Sequence, residues 1–206
     1  MIEKTLYIVR HGQTDLNKQG IVQGRGMNTE LNNEGRAQAV LFYTAYKHIP
    51  FDKIYISELK RTQQSVQQFI DLGLPVEKLS GLDELAWGKY EGQPSTPETK
   101  SAFFKIMREW TSGNLDAKFE GGESPNEVKQ RQEQALKIIM SHPEEKNVLI
   151  CMHGRAMRLF LCLLTGKPLT HMEEFPHQNL VLYKVTFDGE RFEIAEFNNA
   201  IHLKIH

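Results

Sequence analysis

Cysteine is scarce in this chain. Cys151 and Cys162 are the only two in 206 residues, and their spacing makes neither a disulfide framework nor a CxxC metal site. Buried free thiols in a reducing compartment are the expectation. Net charge is nearly absent too: 25 Lys and Arg face 26 Asp and Glu. That balance excludes the broad basic surface a nucleic acid or anionic membrane selects, so any anion site must be local. Long apolar runs are missing; the longest, residues 159–164, is far short of the roughly 20 residues of a membrane span. The opening M-I-E-K-T-L-Y-I-V-R-H has too short an apolar run and the wrong flanks for a signal peptide, so a cytoplasmic protein is expected. No GxxxxGK[ST] is present, and the eight histidines form neither HExxH nor a two-His, one-carboxylate spacing. Neither a nucleotide P-loop, a metal nor a cofactor is predicted, and His202 with His206 reads as tail chemistry. Oligomeric state is not legible.

The remaining composition is that of an ordinary globular chain, 40% hydrophobic and 25% charged, of a length suited to one domain over residues 1–206. Residues 5–9, 54–56, 76–79 and 148–152 read as short buried strands. Between them lie helical stretches. One, capped by Asn32 or Asn33, runs to about His48 with Ala37, Val40, Leu41, Thr44 and Ala45 along one face. Another covers 57–70. Ser124-Pro125-Asn126-Glu127 is a capping box opening a helix to about Ser141, and residues 156–165 form a helix apolar nearly all round, expected deep in the fold. Residues 88–122, punctuated by Gly, Pro and Ser around a helix starting at Thr96-Pro97, read as an insertion covering a site. Residues 180–187 and 192–197, joined at Asp188-Gly189, read as a hairpin. Strands alternating with helices predict a three-layer α/β sandwich: a mostly parallel sheet, helices on both faces and a C-terminal antiparallel hairpin.

Two of the strands end in His-Gly, at His11-Gly12 and at His153-Gly154. Ligands of open α/β folds collect outside the carboxyl ends of strands. If those strands are neighbours, both histidines face one pocket. Arg10-His11-Gly12-Gln13-Thr14, with Asn17 after it, resembles the signature of the histidine phosphatase superfamily, the phosphoglycerate mutase-like group. Later blocks follow in that family's order: Ser57-Glu58-Leu59-Lys60-Arg61-Thr62, then Leu82-Asp83-Glu84 with Gly88-Lys89-Tyr90-Glu91-Gly92, then Gly121-Gly122-Glu123-Ser124 and Met152-His153-Gly154. The resemblance thus covers nearly the whole chain.

It implies that His11 is the residue phosphorylated. The chemistry of the side chains agrees. A neutral imidazole attacks through one nitrogen if a backbone carbonyl fixes the proton on the other. Arg10 and Arg61 are guanidinium forks suited to phosphoryl oxygens, and His153 can donate to such an oxygen. Glu84 is the candidate general acid and then base, and it needs burial or the substrate's charge to hold a proton near neutral pH. Asn17 and Gln23 resemble positions at the pocket mouth that bind phosphate or substrate. Gly154 and Arg155 open the last helix beside it, with Arg155 either a second cation for the substrate or the partner of a carboxylate in the insertion. The sequence departs from the family pattern at Asn28, where Asp is usual, and at Asn32, Thr62 and Arg155, none of which removes a candidate catalytic group.

The function expected is hydrolysis of a small phosphomonoester. The alternative is a 2,3-bisphosphoglycerate-dependent phosphoglycerate mutase, which uses the same core residues and returns the phosphoryl group to substrate. The W-G-K-Y-E-G after Glu84 looks more like phosphatase members, and the stretch from Glu84 to His153 is short for a mutase. A binding module without activity would be expected to lack His11 or Glu84, and both are present. The partner expected is a small phosphorylated metabolite, with neither nucleic acid nor membrane.

Overall fold

Alternation along the strands sets the architecture. In the computed structural model, which describes residues 3–204, Leu6 and Ile8 of β1 (Lys4–Arg10) enter one buried cluster. Tyr7 and Val9 enter another on the opposite face. A strand buried on both sides is what a parallel sheet between helical layers requires. β2 (Lys53–Ile56), β3 (Val76–Lys78), β4 (Asn147–Met152), β5 (Leu182–Phe187) and β6 (Phe192–Asn199) complete a six-stranded sheet in the order β3-β2-β4-β1-β5-β6. The first four strands are mutually parallel, β5 runs antiparallel to β1 and β6 antiparallel to β5. The expected mostly parallel α/β architecture with a terminal antiparallel pair is present.

The short helix α1 (Asp15–Lys18) follows β1, and α2 (Asn33–Tyr46) and α3 (Lys60–Asp71) cover the face with Tyr7 and Val9, through Ala39, Phe42, Val66 and Phe69. The helices α4 (Pro97–Thr111), α5 (Pro125–Met140) and α6 (Gly154–Thr165) cover the other, through Trp110, Val128, Ile139 and Phe160. The predicted caps form. Ser124 accepts the N–H of Glu127 while the Glu127 carboxylate accepts that of Ser124, and Asn32 accepts the N–H of Gly35; each such cap contributes about 1 kcal/mol. Helix α6 is buried nearly all round, as expected. Both cysteines are buried and free. Among the described residues, no helix is long and apolar enough to cross a membrane.

Three local expectations are corrected. The buried face of α2 is Gly35, Ala39 and Phe42, while Ala37 and Thr44 are exposed and Val40 is 48% exposed. Phe42 takes the inward place because it fits among Tyr46, Phe69 and His202. Helix α3 begins at Lys60 rather than Ser57, because the Ser57 hydroxyl accepts the N–H of Leu59 (3.2 Å) and holds that turn out of the helix. Asn28 then caps it from a distant loop, accepting the N–H of Lys60 at 2.8 Å. His202 is not loose tail chemistry: it is buried, its Nε2 donates to the carbonyl of Leu180 (2.8 Å), and its ring packs edge-on against Phe42 and Tyr46. His206 lies outside the described residues.

Candidate active site

β1 and β4 are neighbours in register, Arg10 opposite Met152, and the N–H of His11 donates to the Met152 carbonyl at 3.0 Å. The two His-Gly pairs therefore leave the sheet side by side at the carboxyl ends of their strands. The imidazole rings lie 5.1 Å apart, centre to centre, tilted by 56°. Each glycine permits a close approach. A Cβ on Gly12 would sit 2.7 Å from the carbonyl oxygen of Gly35, and one on Gly154 2.7 Å from the ring of His177.

His11 is buried. Its Nδ1 is 2.7 Å from the Gly12 carbonyl, and since a carbonyl only accepts, Nδ1 carries the proton. Burial first, then the charges of Arg61 and Arg10, hold the imidazole well below the ordinary histidine range. The ring is therefore neutral, and Nε2 presents a bare lone pair. The carbonyl of His11 accepts from the Asn179 side-chain amide (2.9 Å), which also donates to Asn17 Oδ1 (3.3 Å). Leu180, next in the chain, has a left-handed φ of 52°, a strained conformation for a branched side chain. It is the bend that places Asn179 under His11.

A cleft of about 240 Å³ is lined by Arg10, His11, Asn17, Gln23, Glu84, Gly154 and Arg155, together with Gly20, Ile21, Val22, Trp87 and His177. Seven of the residues singled out in the sequence thus line one cleft. Glu84 is 7% exposed. Its Oε1 accepts the N–H groups of Leu85 and Ala156 (both 2.9 Å) and its Oε2 that of Arg155 (3.1 Å). The carboxylate sits on the N-terminus of α6, where unpaired N–H groups and the helix dipole favour a negative group. Asn17 and Gln23 belong to one network. Gln23 donates to the Thr14 hydroxyl (2.6 Å) and accepts from Thr29, while Asn17 closes a capping box with Thr14.

Arg61 and His153 lie behind this lining, fully buried. The Arg61 guanidinium donates from Nη1 to the Met27 carbonyl (2.6 Å), from Nη2 to that of Gly24 (3.4 Å) and from Nε to His153 Nδ1 (3.2 Å). A guanidinium cannot accept, so His153 Nδ1 is unprotonated and its Nε2–H faces the Ser57 hydroxyl at 2.8 Å. Burial, then Arg61, keeps His153 neutral.

Arg155 pairs with Glu173, which also takes Arg158, and its guanidinium lies 5.9 Å over the Trp110 ring. The carboxylate that holds it comes not from the insertion but from the turn Leu169–Glu174; the insertion contributes the aromatic ring. The structure adds residues that the sequence did not single out. His177 accepts from Arg10 Nη1 at 3.2 Å, and burial with the charges of Arg10, Arg158 and Arg155 pushes it down to about 2. Asn179, Ser57 and Ser65, which accepts the Gly12 N–H at 2.8 Å, complete the support. His177, Asn179 and Ser57 lie outside the strands and helices, where no periodicity marks them, and Ser65 is a polar residue on the buried face of α3.

At the opposite end of the sheet, His142, Glu144 and Glu145 bring ligand atoms within 4.8 Å of one another. Glu145 is already engaged by the Tyr55 hydroxyl (2.9 Å).

A family described as the histidine phosphatase superfamily (branch 1) matches residues 6–200. Phosphoserine phosphatase 1 of Hydrogenobacter thermophilus is 27% identical over 199 residues, 96% of this chain and 93% of its own. "Probable phosphoglycerate mutase GpmB" of Yersinia pestis is 29% identical over 186 residues, 88% of this chain and 84% of its own. Among solved structures, Bacillus stearothermophilus YhfR superposes with a TM-score of 0.84 at 25% identity, over 98% of this chain and 100% of that one.

Proposed function

The chain belongs to the histidine phosphatase superfamily, and on that premise we propose that it hydrolyses small phosphomonoesters through a phosphohistidine formed on His11. The observation that carries this reading is the 2.7 Å bond from Nδ1 to the Gly12 carbonyl, which leaves Nε2 as a neutral nucleophile at the base of a cleft. In the first step the Nε2 lone pair forms a bond to phosphorus as the phosphorus–oxygen bond to the leaving group breaks. Glu84 gives its proton to the departing alkoxide. In the second step Glu84 takes a proton from water, the water oxygen attacks phosphorus, and the electron pair of the P–N bond returns to Nε2.

Arg10 supplies charge at the cleft. Of the bonds Arg61 makes, that from Nη2 to Gly24 is the longest, so Nη2 is the atom to turn toward a phosphoryl oxygen. His153 donates there through Nε2 once it leaves Ser57. Asn17 and Arg155 meet the rest of the substrate. Residues 88–122 pack behind the cleft: Trp87 on its lining stacks on Trp110 of α4 at 5.7 Å.

Because side chains supply nucleophile, charge and proton, turnover proceeds without a divalent ion. The purified protein should release phosphate from nitrophenyl phosphate after dialysis against a strong chelator. A rate that collapses and returns with magnesium or zinc would contradict the mechanism. The similarity to a protein named as a mutase supports a second reading, in which the phosphoryl group passes to an acceptor hydroxyl. Accumulation of an isomeric phosphoglycerate without free phosphate, followed by phosphorus NMR, would favour it.

A further inference from the structure

Outside the cleft, one side chain gathers more of the catalytic segment than any element of secondary structure does. Residues 83–86 form neither strand nor helix, so their carbonyls have no ladder to join and need partners elsewhere. Arg131, on α5, supplies them for Asp83 and Glu84. Its Nη1 donates to the carbonyls of Gly81 and Asp83 (both 2.9 Å) and, at 3.4 Å, of Ser80. Its Nη2 donates to the carbonyl of Glu84 itself at 3.1 Å. Glu123 fixes the fork from the other side, its Oε1 3.0 Å from Nε and its Oε2 3.1 Å from Nη2.

The same Glu123 accepts the N–H of Ala86 (2.9 Å) and a donor of Arg25 (3.2 Å). Arg25 in turn holds the Asp83 carboxylate at 3.1 Å. Gly81 lets the segment lie directly on α5, since a Cβ there would meet the Arg131 carbonyl oxygen at 2.6 Å. A lysine could not reproduce this pattern, because only a planar fork meets converging carbonyls and a carboxylate at once.

We propose that Arg131, oriented by Glu123, is the positioning residue for Glu84. The N-terminus of α6 holds the Glu84 carboxylate, and Arg131 holds its main chain, so both ends of the side chain are fixed. This inference rests on Glu84 being the general acid. A carboxyl that moves by an ångström loses its line to the leaving oxygen, and misplacement of that size costs about 10²-fold.

The test compares Arg131→Lys, Glu84→Gln and the double variant in single-turnover phosphoenzyme formation, with glycerol phosphate and nitrophenyl phosphate as substrates. A nitrophenolate leaves without a proton, whereas an alkoxide does not. Arg131→Lys should lower the rate on glycerol phosphate by about 10²-fold and the rate on nitrophenyl phosphate only slightly. Adding it to Glu84→Gln should cost little more. Glu123→Gln, which removes a charge and keeps the shape, should show the same split at smaller size, and it serves if Arg131→Lys does not fold. Equal losses on both substrates for Arg131→Lys or Glu123→Gln, or losses that add fully to Glu84→Gln, would overturn the positioning role. If Glu84→Gln itself lost equally on both substrates, the acid assignment would fall and this inference with it, a pattern distinct from failure of Arg131 alone.

Discussion

The two His-Gly pairs begin alike and end differently. Each closes a parallel strand of the same sheet, the strands are adjacent, and both imidazoles are buried and neutral. At His11 the ring's one hydrogen bond among the described residues is that of Nδ1 with the following carbonyl, and the ring lines the cleft. At His153 both nitrogens are held, by Arg61 and Ser57, and the ring lies behind the lining. The difference comes from the elements that follow: β1 opens into a loop, while His153 is the N-cap of α6. A dipeptide at a strand end does not define a nucleophile; the partner of each ring nitrogen does.

The comparison is broken most directly by removing each ring. His11→Ala should lower turnover of nitrophenyl phosphate by at least about 10⁴-fold, the loss of a nucleophile. His153→Ala should cost about 10²–10³-fold, the loss of one donor to the transition state. Rates of each variant against the native enzyme check this, and equal losses would mean that the asymmetry of the two sites has no chemical consequence.

In acid the two histidines should behave alike. Burial and the nearby arginines lower the folded pKa values of both, and that of His177 is pushed down to about 2. The unfolded chain, with histidines near 6.5, therefore binds more protons than the native state below that pH. Stability should rise with pH through this range and fall as pH drops below about 6.5, by up to about 1.4 kcal/mol per pH unit for each proton taken up. Denaturant unfolding between pH 7.5 and 5 measures it. An increase in stability toward pH 5 would mean that the rings are charged in the fold.

The residues after each pair also diverge. Gln13 turns to α2, accepting from Asn32 and, through its N–H, donating to Gln38, while Arg155 lines the cleft. Arg155→Ala should raise KM for a phosphoglycerate by about 10-fold, the value of a charged hydrogen bond, and leave KM for nitrophenyl phosphate unchanged. If both KM values move together, Arg155 only braces Glu173 and Trp110. The smallest effect is expected at Ser57, the hydroxyl facing His153. Ser57→Ala should lower kcat a few-fold, within about one hydrogen bond's worth, without disturbing His11. A loss as large as that of His153→Ala would make Ser57 part of the phosphoryl site.

Much of this arrangement was legible in the residues. Strand patterns, the Ser124 capping box and the paired His-Gly ends depend on local chemistry, and the sheet appears where they placed it. The side chains that support the site were not legible. Arg131 reads as a surface residue of α5 until the fold lays the segment of Glu84 against it. His177 reaches the cleft, and Asn179 the carbonyl of His11, because the chain returns beside β1 after α6. The buried face of α2 is not legible for the same kind of reason: Phe42 and Val40 are both apolar, and only the neighbouring Phe69 and His202 decide which turns inward.

The central claim is that His11, through Nε2, carries the phosphoryl group. Rapid acid-free quenching of the enzyme with a phosphomonoester, followed by peptide mapping and phosphorus–nitrogen NMR, locates the group by residue and by ring atom. The account predicts a phosphorylated Nε2 on His11 that forms and decays fast enough to account for turnover. Phosphate on His153, on Nδ1 of His11, or on neither histidine while hydrolysis proceeds would contradict it.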